Sequence, residues 1–378
     1  MICYAPAEDS SVEPRAAITP ATADAFKKLG ITVRFGPGLG VASGYADADY
    51  IAAGAEPAPD HAAALAAADL VLRVRKPPAA DLASLKKGSV QIGFLDPFHE
   101  ADLLARLASA GVAAVSLEMI PRTTLAQKMD ALSSQASLAG YAAVVQATAR
   151  LRRVLPMMMT PAGTIMPSRV FVVGAGVAGL QAIATARRLG ARVEAFDTRP
   201  AVEEQVKSLG AKFVKIDVGG NTGQTAGGYA QALTPEQIAK QQAGMAKLCA
   251  QADIVITTAK VFGRRAPLLI TEAMLAGMQR GSIVVDLATE SGGNVAGSVA
   301  GHDVVTANGV TLLGSVCIEG TVAYHASQVL AANFAAWVTH FWNAESKSLR
   351  LDPTDEILKG CLLTHDGAIV HPQFIKTA

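Results

Sequence analysis

Three glycines at a fixed spacing are the sharpest chemical feature of the sequence. The stretch RVFVVGAGVAGLQAIATARRLGARVEAFD sets Gly174, Gly176 and Gly179 in a GxGxxG pattern, directly after an apolar β-branched run and at the opening of a helical one. Asp197 follows eighteen residues beyond Gly179. Gly174 permits a tight turn, Gly176 removes a side chain where backbone must approach a pyrophosphate, and Gly179 lets helix and strand pack closely. The helix N-terminus then offers amide donors and partial positive charge to phosphate oxygens. Asp197, closing the second strand, can accept hydrogen bonds from an adenosine ribose and repel a 2′-phosphate, which selects NAD over NADP. Arg199 is discordant, since a guanidinium there can meet a 2′-phosphate; the carboxylate carries more weight because it holds the strand-end position itself. For the glycines alone, a ligand-free turn is the alternative, and the coincidence of strand, helix, second strand and acidic terminus argues against it. The candidate nucleotide contacts are Gly174, Ala175, Gly176, Val177, Gly179, Asp197, Thr198 and Arg199.

The elements that must position these residues repeat along the chain. Short β-branched runs alternate with helical stretches, the pattern of βα units around parallel sheets. Predicted strands include ITVRF, LVLRV (70–74), VQIGFL (90–95), VAAVSL (112–117), VFVVG (170–174), RVEAF, KFVKI, DIVITT (253–258), SIVVDL (282–287) and VTLLG (310–314). Thr19-Pro20 reads as an N-cap and first helical residue, and Gly30, Gly190 and Gly210 each close a helix before a strand. Two long helices, about 131–153 and 320–342, carry the chain between halves. The segment from Asp352 onward is too short to be a domain and must pack on the first one. The expected fold is therefore α/β, with two Rossmann-like domains built on parallel sheets. A discontinuous first domain, 1–132 plus 319–378, holds an inserted second one, 133–318, with the NAD cleft between them.

Composition narrows the rest. The 378 residues are 51% hydrophobic and 17% charged, with 33 basic against 32 acidic side chains and a net charge of +1, so nucleic acid and anionic membrane surfaces lack an electrostatic case. Cys3, Cys249, Cys317 and Cys361 are far apart, with no CxxC and no histidine at ligand spacing, so neither a disulfide framework nor a zinc site is expected. No signal peptide or spanning segment is legible, and a reduced, cytosolic chain is the expectation. A mean hydropathy of +0.30 fits either an extensive α/β core or a large subunit interface.

The stretch EMIPRTTLAQKMDALSSQASLAGYAAVV (118–145), followed by PMMMTPAGTIMPSRVFVVGAGVAGLQAIATARRLGA, resembles the NAD(H)-binding component of proton-translocating nicotinamide nucleotide transhydrogenase. The likeness continues through TAGGYA (225–230) and VVDLATESGGN (284–294) to DGAIVHP (366–372). It implies a Re/Si-specific enzyme in which hydride passes directly from NADH on this chain to NADP+ on a second, NADP(H)-binding subunit, while a membrane subunit moves protons. It also implies a homodimer and a cytoplasmic protein held peripherally at the inner membrane by its partners. Alanine-rich helices such as HAAALAAADL and QVLAANFAAWV offer faces for self-association, although packing within the chain explains them equally. The related family of alanine dehydrogenases has an arginine near the amino end and a lysine in the first domain for its substrate. Arg15 and Lys76 are the candidates, but the histidine expected at FLDPFHE is displaced to His99. An amino-acid dehydrogenase and a non-catalytic NAD(H) sensor are thus the alternatives.

Hydride transfer between nicotinamides needs no acid, base or metal, only two rings held at contact distance with water excluded. By resemblance Arg122, Gln127, Asp130 and Ser133 do that positioning: Arg122 on pyrophosphate or carboxamide oxygens, Asp130 on the carboxamide NH2, Gln127 toward the partner's nucleotide. Asp130 as a plain N-cap with Ser133 at N3 is the competing reading, and the two are compatible. Tyr229, in NTGQTAGGYAQ, is by resemblance part of a lid over the nucleotide, or else a surface tyrosine. Gln241 matches a nucleotide-contacting position, and an exposed helix face explains it nearly as well. Lys260 stands where related sequences often carry an apolar residue. Met157, Met158 and Met159 read as packing in the linker, and His99, His325 and His371 are given no catalytic role.

Overall fold

The computed structural model describes residues 1–219, 223, 231 and 233–375. The chain forms two compact units, Met1–Gln135 with Glu319–Ala378, and Ala136–Ile318. Both are sheets covered on two faces, which the near-continuous apolar strands require.

In the first unit eight strands run in the order Ala368–Ile369, Leu362–His365, Ala113–Ser116, Val90–Gly93, Leu70–Leu72, Ile2–Ala5, Thr32–Phe35, Glu56–Pro57. The six from the amino-terminal portion are parallel, and the two from the carboxyl end add an antiparallel edge. Strand periodicity sorts the side chains. Leu70, Leu72, Ile92 and Val115 face a core with Phe26, Phe35, Phe334 and Trp337. Tyr4, Val71 and Ala114 face the other side, against Leu65, Leu104, Leu107 and Leu363. Thr19 caps helix Pro20–Lys28 by accepting from the Thr22 amide, and Gly30 turns the chain at φ +80°. The strand Ile2–Ala5, paired on both sides in this sheet, is not among the predicted ones, because four residues followed by Pro6 carry no alternation to read.

The main sheet of the second unit has, among the described residues, seven strands in the order Lys212–Phe213, Arg192–Phe196, Arg169–Val173, Ile254–Thr257, Ile283–Asp286, Thr311–Gly314, Asp303–Val305, all parallel except the last. Val170, Val172, Ile254, Ile256 and Val285 pack under Ala142, Ala143, Val144 and Ala147 of helix Ala131–Arg150. Phe171, Val173, Val255 and Val284 meet Met245, Cys249, Met274 and Leu275.

Two expectations need correction. Helix Ala323–Phe341, for which packing within the chain and self-association are equal readings of the sequence, buries Leu330, Ala331, Phe334, Trp337 and Val338 inside the first unit and leaves Ala332 exposed. Met157, Met158 and Met159 fill no gap: they enter a hairpin of Met158–Thr160 and Gly163–Ile165 whose residues are all exposed, with Met159 81% accessible. Gln241 lies not on an exposed face but buried, on helix Pro235–Gln251.

Candidate nucleotide site

The glycine pattern folds as strand, turn and helix within the second unit. Strand Arg169–Val173 ends at Gly174, whose φ of +97° is costly for any residue with a Cβ. Helix Val177–Arg188 starts after Gly176, which has no side chain to cap it, so the first-turn amides remain for a ligand. The glycines differ in what they exclude. A Cβ on Gly179 would lie 1.9 Å from the Gly174 carbonyl oxygen, whereas one on Gly176 would meet only the Arg199 guanidinium, 4.0 Å away. Gly179 therefore serves packing, and Gly176 keeps an approach to the backbone open. This geometry fits the pyrophosphate of a dinucleotide.

Asp197 follows strand Arg192–Phe196 and is already fully used. Its Oδ2 accepts from the Ala175 amide at 2.7 Å and from Arg199 Nη2 at 2.8 Å, and its Oδ1 accepts from the Arg199 amide at 2.8 Å and Nε at 2.9 Å. These four donors match the roughly four lone-pair sites of a carboxylate. Two of them, Nε and Nη2, come from a side chain that can move aside for ribose hydroxyls. The hydrogen bonds from Arg199 to Asp197 hold the guanidinium even further above the range in which it would lose its proton.

Support comes from residues that sequence reasoning passed over. Thr258 Oγ1 donates to the Gly174 carbonyl at 3.1 Å, bracing the turn. Asp286, at the end of its strand, accepts from the amides of Ala288, Asn294 and Val295. Burial pushes its carboxyl above the usual range, and those donors work against the shift. Asn294 in turn holds Ala259 through both its amide and its carbonyl, at 3.1 and 3.0 Å. The only signal was the string VVDLATESGGN, which says nothing about which loop its polar groups tie. Lys260 is exposed next to this braced turn. Thr198 is half-buried and Val177 exposed, whereas Ala175 is buried. Tyr229 lies outside the described residues.

The 122–133 segment belongs to the first unit. Ala126 and Met129 pin it to the core, while Arg122, Gln127 and Lys128 are exposed. Asp130 caps helix Ala131–Arg150: Oδ1 accepts from the Ser133 amide at 2.9 Å and Oδ2 from the Ser133 hydroxyl at 2.5 Å. The capping role is thus present in the geometry. Asn333, also unnoticed in the sequence, donates to the Lys128 carbonyl at 2.8 Å and accepts from the Ser134 hydroxyl at 2.6 Å. One amide therefore fixes both sides of the cap.

Arg15 is buried and surrounded. Glu13 forks onto it with two contacts of 2.7 Å, and its Nη1 donates to Gln135 at 2.9 Å and to Glu319 at 2.7 Å. Lys76 pairs with Glu100, and His99 with Asp96 at 2.7 Å. The two cations that a carboxylate substrate would need are both held by the chain's own acids.

Two parallel-rich sheets, one of them carrying a glycine turn at a helix start, define a two-unit doubly wound α/β protein. Family models of the alanine dehydrogenase/PNT N-terminal and C-terminal domains match residues 4–139 and 143–372. An NAD(P) transhydrogenase subunit alpha polypeptide of Rhodospirillum rubrum is 42% identical over 373 residues, covering 97% of each chain. The crystal structure of transhydrogenase from Sinorhizobium meliloti superposes with a TM-score of 0.88 at 42% identity, over 98% of this chain and 100% of that one. An L-alanine dehydrogenase structure shares the fold, with a TM-score of 0.80 at 24% identity over 99% of this chain and 98% of that one. The chain belongs to the alanine dehydrogenase/PNT family, among its NAD(P) transhydrogenase alpha subunits.

Proposed function

We propose that this chain binds NAD(H) and presents NADH for direct hydride transfer to NADP+ on a partner subunit, in an NAD(P) transhydrogenase. Re/Si specificity and coupling to proton movement through a membrane subunit belong to the same reading. The observation that carries it is the uncapped helix start behind Gly174, Gly176 and Gly179, with Asp197 anchored beside it. When bound, the reduced nicotinamide supplies the hydride. The protein's own work is then binding and orientation. The 176–179 amides meet the pyrophosphate, Asp197 takes the ribose, and Arg122, Gln127, Asp130 and Ser133 orient the nicotinamide end. Tyr229 and Gln241 are further contacts in this reading. Asp130 can hold its cap and still offer a carboxylate oxygen, since Ser133 uses one lone pair on each.

The engagement of Arg15 and Lys76 counts against an amino-acid dehydrogenase. No helix among the described residues is long and apolar enough to cross a membrane, so placement at the cytoplasmic face of the inner membrane would come through partner subunits. Self-association as a homodimer is part of the proposal, and exposed Met157, Met158, Met159, Ile165 and Met166 form its best apolar surface. Sedimentation showing only monomer at micromolar concentration would remove that element.

The decisive experiment mixes the NADH-loaded chain with a partner subunit loaded with an NADP+ analogue and follows a single turnover. Transfer is expected. Its absence with every such partner rejects the enzyme reading and leaves the sensor; NADH-dependent reductive amination of pyruvate by the chain alone would favour the dehydrogenase.

A further inference from the structure

The end of the second sheet away from the glycine turn carries its own cavity. Strands Arg169–Val173, Arg192–Phe196 and Lys212–Phe213 are adjacent and parallel, with Arg192 in register with Arg169 and Lys212 with Glu194. Their starting side chains, Arg169, Arg192 and Lys212, line a cavity of about 650 Å³ together with Arg187, Lys247 and Glu194. That volume is within the usual range for small-molecule sites. Five cations and one carboxylate thus converge on one concavity in a chain whose net charge is +1.

Part of this charge has an ordinary explanation. Arg187 sits in the last turn of helix Val177–Arg188, and Gln251 ends helix Pro235–Gln251, so two helix C-termini bring about −0.5 charge each. Lys212 pairs with Glu194 at 2.8 Å, Arg169 donates to Gln251 at 2.7 Å, and Arg187 donates to the Ala191 carbonyl at 3.2 Å. An excess of roughly +3 remains after the carboxylate and the helix ends are counted. Arg192 and Lys247 make no side-chain hydrogen bond or ion pair among the described residues. A shallow basic surface would serve solubility alone; a concave one, with two cations unspent, is built to take an anion of more than one charge.

We propose that this cavity binds a soluble polyphosphate-class anion, at a site separate from the Gly174–Gly179 turn. Its apolar lining, Val193 and Leu248, includes no aromatic ring among the described residues, so the ligand is recognised by its phosphoryl groups and not by a stacked base. The guanidiniums of Arg169, Arg187 and Arg192 supply forked donors and the two lysines supply point charges. Helix Val177–Arg188 runs from the glycine turn to this cavity, which places the two sites at opposite ends of one element.

Inorganic pyrophosphate is the probe. The full chain is titrated calorimetrically at fixed ionic strength, with and without saturating NADH. With NADH saturating, so that the glycine turn is filled, one saturable site per chain is expected; without NADH the turn can take pyrophosphate as well. Arg192→Gln combined with Lys247→Gln should weaken it about tenfold or more, the effect of about 0.7 kcal/mol for each neutralised cation. Arg188→Gln, an exposed change in the same helix turn but outside the cavity lining, should leave it unchanged, and all three proteins should bind NADH alike. With NADH present, absence of saturable binding, a smaller loss in the double variant or an equal loss in Arg188→Gln each overturns the proposal. The test is independent of whether hydride transfer occurs.

Discussion

Asp197 and Arg199 show how one residue's role depends on another's rotamer. Read separately, the carboxylate favours NAD and the guanidinium favours a 2′-phosphate; in the fold they form a bidentate pair that ties the guanidinium to the carboxylate, with Nη2 4.0 Å from where a Gly176 Cβ would lie. Asp197→Asn removes both the ribose acceptor and the partner that restrains Arg199. NADH affinity should fall about tenfold, a loss of one good charge-assisted hydrogen bond, and the NADH to NADPH preference should narrow because the freed guanidinium can reach a 2′-phosphate. Fluorescence titration with both nucleotides measures this, and an unchanged preference would mean that Arg199 plays no part in the choice. Gln127 makes the contrasting case. Exposed on a short turn pinned by Ala126 and Met129, it should act on geometry, so Gln127→Asn should leave NADH affinity almost unchanged and slow single-turnover transfer, since misplacement by about 1 Å can cost on the order of a hundredfold. Equal transfer by the variant and the wild type would remove Gln127 from the mechanism.

Among the elements, the start of helix Val177–Arg188 is held by packing as tight as that within the turn itself. Gly140, in helix Ala131–Arg150, is so close to the fingerprint helix that an added Cβ would lie 2.1 Å from the Ala178 carbonyl oxygen. That oxygen is backbone and cannot rotate away. Gly140→Ala gains about 1 kcal/mol in helix propensity, yet the overpacking should cost more, about 2–3 kcal/mol. We expect a lower melting temperature together with weaker NADH binding, because relief of the clash moves the helix turn that presents the amides. Thermal denaturation and NADH titration check both. A more stable variant with normal affinity would show that the helices separate freely.

For the whole molecule, the Arg15 cluster links distant parts of the chain within the first unit: Glu13, Gln135 at a sequence separation of 120 and Glu319 at 304. Burial would raise the Glu13 carboxyl, but hydrogen bonds from Arg15, its charge and that of Arg75 hold it below the ordinary range. A folded value below the unfolded one means that its stabilisation is present above about pH 4.3 and is lost as pH falls through the folded value. Glu13→Gln should cost about 3 kcal/mol at neutral pH by leaving a buried guanidinium short of one charge. The gap to wild type should shrink under acid. Urea denaturation at neutral and acidic pH tests this, and a gap independent of pH would show that the pair's charge is immaterial.

The glycine turn, the alternation of strands and helices and the Asp130 cap were legible because each depends on residues within a few positions. Steric limits on φ, the period of apolar residues and a side chain reaching its own helix start are all local. Resemblance then supplied the family, since whole strings of such local choices are shared. Tertiary structure alone decided what the polar groups do with one another. Arg15 meets partners far along the chain, Asn333 reaches back to Lys128, and Asp286 and Asn294 lock two loops whose spacing gives no pattern. Burial was equally non-local. Residue type suggests inside for Met157, Met158 and Met159, and an exposed face is one of two readings for Gln241; the methionines are exposed because a short hairpin leaves nothing to cover them, while Gln241 is buried.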